Sequence, residues 1–147
     1  MTHIDAQAIA KLTTYYNSLL PCPCTSPSVS RNSSSTADFK VLDLCGSWLS
    51  HLPLPLPATV GVFGLGLNEE ELSSNETYNL GWKVFDLNGE EKLDWIWIMT
   101  GEMDLVICTV SIDYLVYPLS VLKQCHRILK QGPPPTPEPL FLGIQGY

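Results

Sequence analysis

Four short apolar runs decide what this chain can fold into. They are residues 40–44 (KVLDL), 60–65 (VGVFGL), 82–87 (WKVFDL) and 104–110 (DLVICTV). Each has the length of a strand and is rich in β-branched or aromatic residues. None alternates apolar with polar along its whole length, as a strand with one wet face does. Runs of this kind suit strands buried on both faces, the situation of a parallel sheet covered above and below.

Helical patterns lie around and between the runs. Residues 5–20 place Ile9, Leu12, Tyr16 and Leu19 at three- and four-residue steps, one apolar stripe of an amphipathic helix. Asn68 stands before Glu69, Glu70 and Glu71: it can cap a short helix, Glu71 takes the capping-box position, and the acids complement the helix dipole. Pro118 in a first turn predicts a helix over residues 118–130, with Leu119, Leu122, Cys125 and Leu129 on one face. Lys123, Arg127 and Lys130 lie towards its end, and Gly132-Pro133 stops it. Strand alternating with helix implies an α/β fold, a Rossmann-like parallel sheet flanked by helices with right-handed crossovers.

One connection departs from that rule. SHLPLPLPAT, between the first and second runs, has prolines at 53, 55 and 57, which forbid a regular helix. The covering helix there is expected to be a single turn or absent. Residues 21–36 (PCPCTSPSVSRNSSST) are Pro/Ser-rich without periodicity and read as a linker. The expected organisation is an N-terminal helix in 1–20, a linker in 21–37 and an α/β domain in 38–147.

Composition narrows the function classes. The 147 residues suffice for one domain with a core, and 45% hydrophobic against 16% charged residues fits a globular chain. A formal net charge of −7 disfavours nucleic acid, whose binding leans on neutralising phosphates with Lys and Arg. No apolar run approaches the roughly 20 residues of a membrane span. The start, MTHIDAQAIAKL, lacks the basic and apolar regions of a signal peptide. Five cysteines without framework spacing suit a reducing compartment, and a cytoplasmic location is expected. On that reading Asn32-Ser33-Ser34 and Asn75-Glu76-Thr77 match the glycosylation pattern by chance. Cys22-Pro23-Cys24 lacks a second Cys/His pair and makes a poor zinc site.

In open parallel sheets, ligands sit beyond the carboxyl ends of the strands. Asp43, Cys45, Gly46 and Ser47 follow the first run, and Gly64, Gly66 and Asn68 the second. Asp86 and Asn88 follow the third; Thr109, Ser111, Asp113 and Tyr114 the fourth. A dinucleotide site asks for G-x-G-x-x-G. Gly64-Leu65-Gly66 supplies two glycines, but Glu69 stands third and would point negative charge at a pyrophosphate.

A better match is carried by longer stretches. Val41-Leu42-Asp43-Leu44 looks like the first motif strand of the class I S-adenosylmethionine-dependent methyltransferases, specifically the methyltransferase type 11-like group. Residues 62–72 (VFGLGLNEEEL) resemble that family's second strand and following helix, and Phe85-Asp86-Leu87-Asn88 its acid after the third strand. Residues 103–108 (MDLVIC) resemble its fourth strand. Residues 126–132 (HRILKQG) are similar to its R-x-L-K-P-G-G ending. The resemblance covers roughly residues 38–132. It implies S-adenosyl-L-methionine as cofactor, bound by Asp43, Cys45, Gly46, Ser47, Gly66, Asn68, Asp86, Leu87 and Thr109. The turn at Cys45–Ser47 would cradle the methionine part, backbone near Gly66 and Asn68 would approach the ribose, and Asp86 would face the adenine amine. The substrate would be a small molecule or a protein.

The chain departs from that pattern in places. Cys45, Ser47 and Leu49 stand where the family has loop glycines, and neither Cys nor Ser adopts positive φ as cheaply as glycine. Gly66 replaces the ribose-binding acid, leaving Asn68 or Glu69 to substitute. Residues 140–144 (LFLGI) could form a fifth strand, but the family's terminal antiparallel pair is missing. The sheet is therefore expected to be incomplete at its C-terminal edge, in a truncated or alternatively spliced version of a longer enzyme. A bare fifth strand would offer an edge for dimerisation. These departures favour an alternative, a non-catalytic remnant or interaction module.

The other residues with chemistry read more plainly. His51 and Tyr114 lie at the expected rim as candidate substrate contacts, Asp104 as a structural residue at a strand start, and His126 as a packing residue. Trp95 and Trp97 fit a strand or lid. Cys45 has no His or acid placed by sequence to activate it as a nucleophile.

Overall fold

The computed structural model describes residues 5–21, 37–89, 98–109 and 111–132. Helix α1 (Ala6–Leu19) precedes β1 (Phe39–Leu44) and β2 (Val60–Gly66). Helix α2 (Glu69–Ser73), β3 (Trp82–Val84), β4 (Leu105–Cys108), a 3-10 turn (Ile112–Tyr114) and helix α3 (Pro118–Ile128) follow. The strands form one sheet in the order β3-β2-β1-β4, every pair parallel. This is the Rossmann-like α/β architecture expected from the non-alternating runs. No helix joins β1 to β2, as the proline spacing requires.

Strand pleat divides the core in two. Leu42, Leu44, Leu65 and Val106 meet Val121, Cys125 and Ile128 of α3 on one face. Val41, Val60, Val62 and Ile107 meet Tyr16, Leu20 and Leu72 of the α1 and α2 segments on the other. Side chains such as Val41, Leu42, Val62 and Leu65 are wholly buried, and each contributes roughly 1.5–3 kcal/mol of hydrophobic stabilisation.

The helix ends follow their sequence signals. Asp5 caps α1 by accepting from the Ala8 N–H, 2.7 Å. The Asn68 side chain accepts from the amides of Glu70 and Glu71, and its own amide donates to Glu71. Helix α3 starts with Pro118 but buries a different face from the one expected. Val121, Cys125 and Ile128 point inward, whereas Leu119 is 71% exposed. Both sets fit helical spacing, and docking on Leu42 and Leu44 selects between them. In α1, Tyr16 is buried but Leu19 is exposed, and Leu20 turns inward instead.

Two strands are shorter than their apolar runs. Strand β3 ends at Val84; the Phe85 N–H still donates to Gly66, and Asp86 then opens a turn. At the other end of the β2 edge the Asn79 side chain stands in for a strand. It accepts from the Val62 N–H at 2.7 Å and donates to the Val60 carbonyl at 2.9 Å. Strand β4 starts one residue after Asp104, whose carboxylate accepts from the Lys40 N–H and from Lys130. Asp104 thus serves structure, as its position suggests. The linker in 22–36, the tryptophans at 95 and 97, Val110 and the expected fifth strand lie outside the described residues, as does any edge it would form. Among the described residues no helix is long and apolar enough to cross a membrane.

Candidate functional site

A cleft of about 310 Å³ opens at the carboxyl ends of β1, β2 and β3. Its walls are Cys45–Ser47 after β1, Gly66–Asn68 with Glu71 after β2, Phe85–Asn88 after β3, and Ser111, Tyr114 and Leu115 after β4. The structure therefore brings seven of the nine expected cofactor residues to one surface: Cys45, Gly46, Ser47, Gly66, Asn68, Asp86 and Leu87.

Asp43 and Thr109 are not among them. Pleat sends Asp43 to the same face as Val41, where it is 3% exposed and accepts from the Tyr78 hydroxyl at 3.1 Å. Burial, eased only partly by that bond, raises its carboxyl well above the usual carboxylate range. Thr109 shares a 2.7 Å hydrogen bond with the Tyr16 hydroxyl, and burial pushes that phenol up to about 12. Both residues tie the sheet to the chain packed on its α1 side. Sequence position alone reads Asp43 as a rim residue because it cannot show Tyr78 closing over it.

The first loop shows how a wall short of glycine is built. Cys45 adopts a left-handed backbone, φ 56°, a conformation that glycine takes at least cost. Surrounding bonds hold it there. The Gly46 N–H donates to Leu65 at 2.6 Å, and the Asn75 side chain donates to the Ser47 carbonyl at 2.7 Å. Thr77 donates to Asn75, and the Ser50 and Thr77 hydroxyls share a hydrogen bond. Asn75 is thus buried and engaged within this network, and its sequon has a structural use. Gly46 and Gly66 permit close approach: a β-carbon on Gly66 would meet the Gly46 carbonyl, and one on Gly46 would meet the Tyr78 hydroxyl.

The opposite wall is tied by Asn88, which the sequence places at the rim without a role. Its side-chain amide donates to the Tyr114 carbonyl at 3.0 Å, and its oxygen accepts from the Val116 N–H at 2.8 Å. The Asn88 N–H in turn donates to Asp86 Oδ1, closing an Asx turn. Asp86 therefore shapes the turn while its exposed carboxylate lines the cleft.

Two expectations about substitutes for the missing strand-two acid resolve differently. Asn68 lines the cleft but spends its side-chain oxygen on the cap of α2. Glu69 is not among the cleft's lining residues, and Glu71, two residues further along the helix, lines it instead. Of the two candidate substrate contacts, Tyr114 lines the cleft and is 67% exposed. His51 does not: it sits half-buried at φ 54°, its carbonyl accepting from Thr13 of α1.

The electrostatics have one sign. Glu71 and Asp86 line the cleft, and no Lys, Arg or His stands among its described lining residues. The remaining polar groups are amides, hydroxyls and main chain. Such a surface suits a cation joined to a neutral polar body, and it repels phosphate.

No family model matches this chain, and no curated protein matches it. Among solved structures it is similar to a SAM-dependent methyltransferase from Aquifex aeolicus at 15% sequence identity and a TM-score of 0.49. That likeness covers 86% of this chain and 68% of the other.

Proposed function

We propose that the cleft binds S-adenosyl-L-methionine and that the chain is a methyltransferase acting on a small molecule or a protein. The observation that carries this reading is the cleft's own charge: two carboxylates and no cationic side chain among the described lining residues. S-adenosyl-L-methionine joins a sulfonium cation and a zwitterionic amino-acid group to an uncharged nucleoside and is a net cation, whereas dinucleotides and nucleoside triphosphates bring phosphates. The volume lies at the lower end of small-molecule sites. The type 11-like resemblance of the first strand, the strand at residues 103–108 and the segment at residues 126–132 supports the same reading.

Asp86 would accept from the adenine amine, as the acid after the third strand does in that family. Glu71 takes the place of the missing strand-two acid at the ribose. Main chain at Cys45–Ser47 would hold the methionine part. When bound, the cofactor supplies a sulfonium methyl for in-line displacement by a nucleophile of the substrate. The chain's share is to hold both partners in line and to keep carboxylate and carbonyl groups near the cation. Asn88 contributes by fixing the loop that carries Tyr114 against the wall that carries Asp86.

Isothermal titration with S-adenosylmethionine, S-adenosylhomocysteine and ATP tests the reading. Saturable binding of the first two and none of ATP is expected. Glu71→Ala removes one charged hydrogen-bond partner, worth about 1.5–3 kcal/mol, and weakens binding roughly tenfold to a hundredfold. Failure of both thioether and sulfonium ligands to bind refutes the assignment.

A further inference from the structure

The same cleft wall carries a second chemistry. Leu44 of β1 pairs with Cys108 of β4, so Cys45 lies one residue past that pair on the neighbouring strand. A strand spacing of about 4.8 Å and a rise of about 3.3 Å place the two α-carbons roughly 6 Å apart. Disulfides span about 4.4–6.8 Å.

Side-chain direction agrees with that spacing. Regular pleat would send residues 44 and 45 to opposite faces, but the left-handed backbone at Cys45 breaks the alternation. Both thiols consequently pack against the same core cluster, on the α3 side of the sheet, within hydrogen-bonding reach of each other. Both are partly exposed, and Cys45 lines the cleft. The third described cysteine, Cys125, belongs to the same cluster but is 4% exposed.

We propose that Cys45 and Cys108 form an exchangeable dithiol that a small-molecule disulfide such as glutathione disulfide closes to an intramolecular disulfide. This stands apart from the identity of the cleft's ligand. The thiols are unequal in a way that orders the steps. The hydrogen bond from Cys108 lowers Cys45 below the usual thiol value, while the same bond, with burial, holds the proton on Cys108. Cys45 thiolate attacks one glutathione sulfur, the S–S bond breaks, and a glutathione thiolate leaves and takes up a proton. With Cys45 capped, the negative charge that held the Cys108 proton is gone. Cys108 then loses that proton to solvent, attacks Cys45 Sγ and expels the second glutathione. Two electrons pass from the protein dithiol to glutathione disulfide, giving two glutathione thiols.

The test uses the full chain, reduced, desalted and incubated with glutathione disulfide, then digested without reductant for mass spectrometry. The expected product joins the Cys45 peptide to the Cys108 peptide and is reversed by excess glutathione. Cys108→Ser is expected to trap a glutathione adduct on Cys45, and Cys45→Ser to give neither adduct at Cys108 nor cross-link. The oxidised chain should keep its circular dichroism and shift its urea midpoint upward. Cross-links that pair only other cysteines overturn the proposal. So does a glutathione adduct persisting on Cys45 of the unsubstituted chain, or a Cys45–Cys108 link that forms only in urea-unfolded chains.

Discussion

Replacing Tyr78 by phenylalanine takes one oxygen out of the interior and leaves the ring in place. That oxygen donates to Asp43 Oδ2 at 3.1 Å, and the two residues are 6% and 3% exposed. The cost depends on the carboxyl's protonation state. A neutral pair is worth about 0.5–1.5 kcal/mol and a bond to a charged acceptor about 1.5–3 kcal/mol. Burial raises the folded-state value of Asp43 well above 3.8. A carboxyl raised in this way contributes its full stability below its unfolded value near 3.8 and loses that contribution as pH climbs through the folded value. The Tyr78 hydroxyl limits the loss by favouring the charged form. The Tyr78→Phe penalty should therefore grow with pH, from about 1 kcal/mol near pH 4 towards about 3 kcal/mol on the alkaline side. At roughly 3 °C per kcal/mol this is a melting shift of about 3 °C rising towards 9 °C. Thermal melts of both chains across that range read it directly. In an Asp43→Asn background the same substitution should cost a small, pH-independent amount. A penalty equal at both ends of the range, or growing towards acid, would refute the account of Asp43 as a buried carboxyl eased by Tyr78.

Gly66→Ala drives a β-carbon into the Gly46 carbonyl, a backbone atom with little room to yield, and should cost about 1–3 kcal/mol by urea denaturation. Asn88→Ala removes both ties to the Tyr114–Val116 segment; hydrogen exchange there should quicken while the β1 and β2 amides keep their protection. Asp104→Ala should destabilise more than Lys130→Ala, since it also leaves the part-buried Lys40 N–H without its acceptor. The Lys130 ion pair, with its lysine 47% exposed, is worth at most about 1 kcal/mol and should fade in high salt.

What sequence alone determined here is what short-range periodicity and local bonds encode. Non-alternating runs announced strands covered on both faces; β1 and β2 are so buried, the edge strand β3 leaves Lys83 and Val84 exposed, and the four described strands are all parallel. Three alternate prolines announced a crossing without a helix, and Asn68 before three glutamates announced a capped turn. The rim loops followed, because parallel strands must end together at one edge; nine residues named from that rule line one cleft. Tertiary structure decided everything that depends on a partner distant in the chain. Pleat gives Asp43 a face, but Tyr78, 35 residues away, makes it an interior group. Asn75 fixes the Cys45–Ser47 wall from 28 residues away, Asn88 reaches across 26 to Tyr114, and register sets Cys108 beside Cys45. Sequence spacing put Leu119, Leu122, Cys125 and Leu129 on the inner face of α3, and packing on β1 buries Val121, Cys125 and Ile128 instead. Periodicity repeats along the chain and can be read there; a contact across the sheet exists only once the strands have aligned.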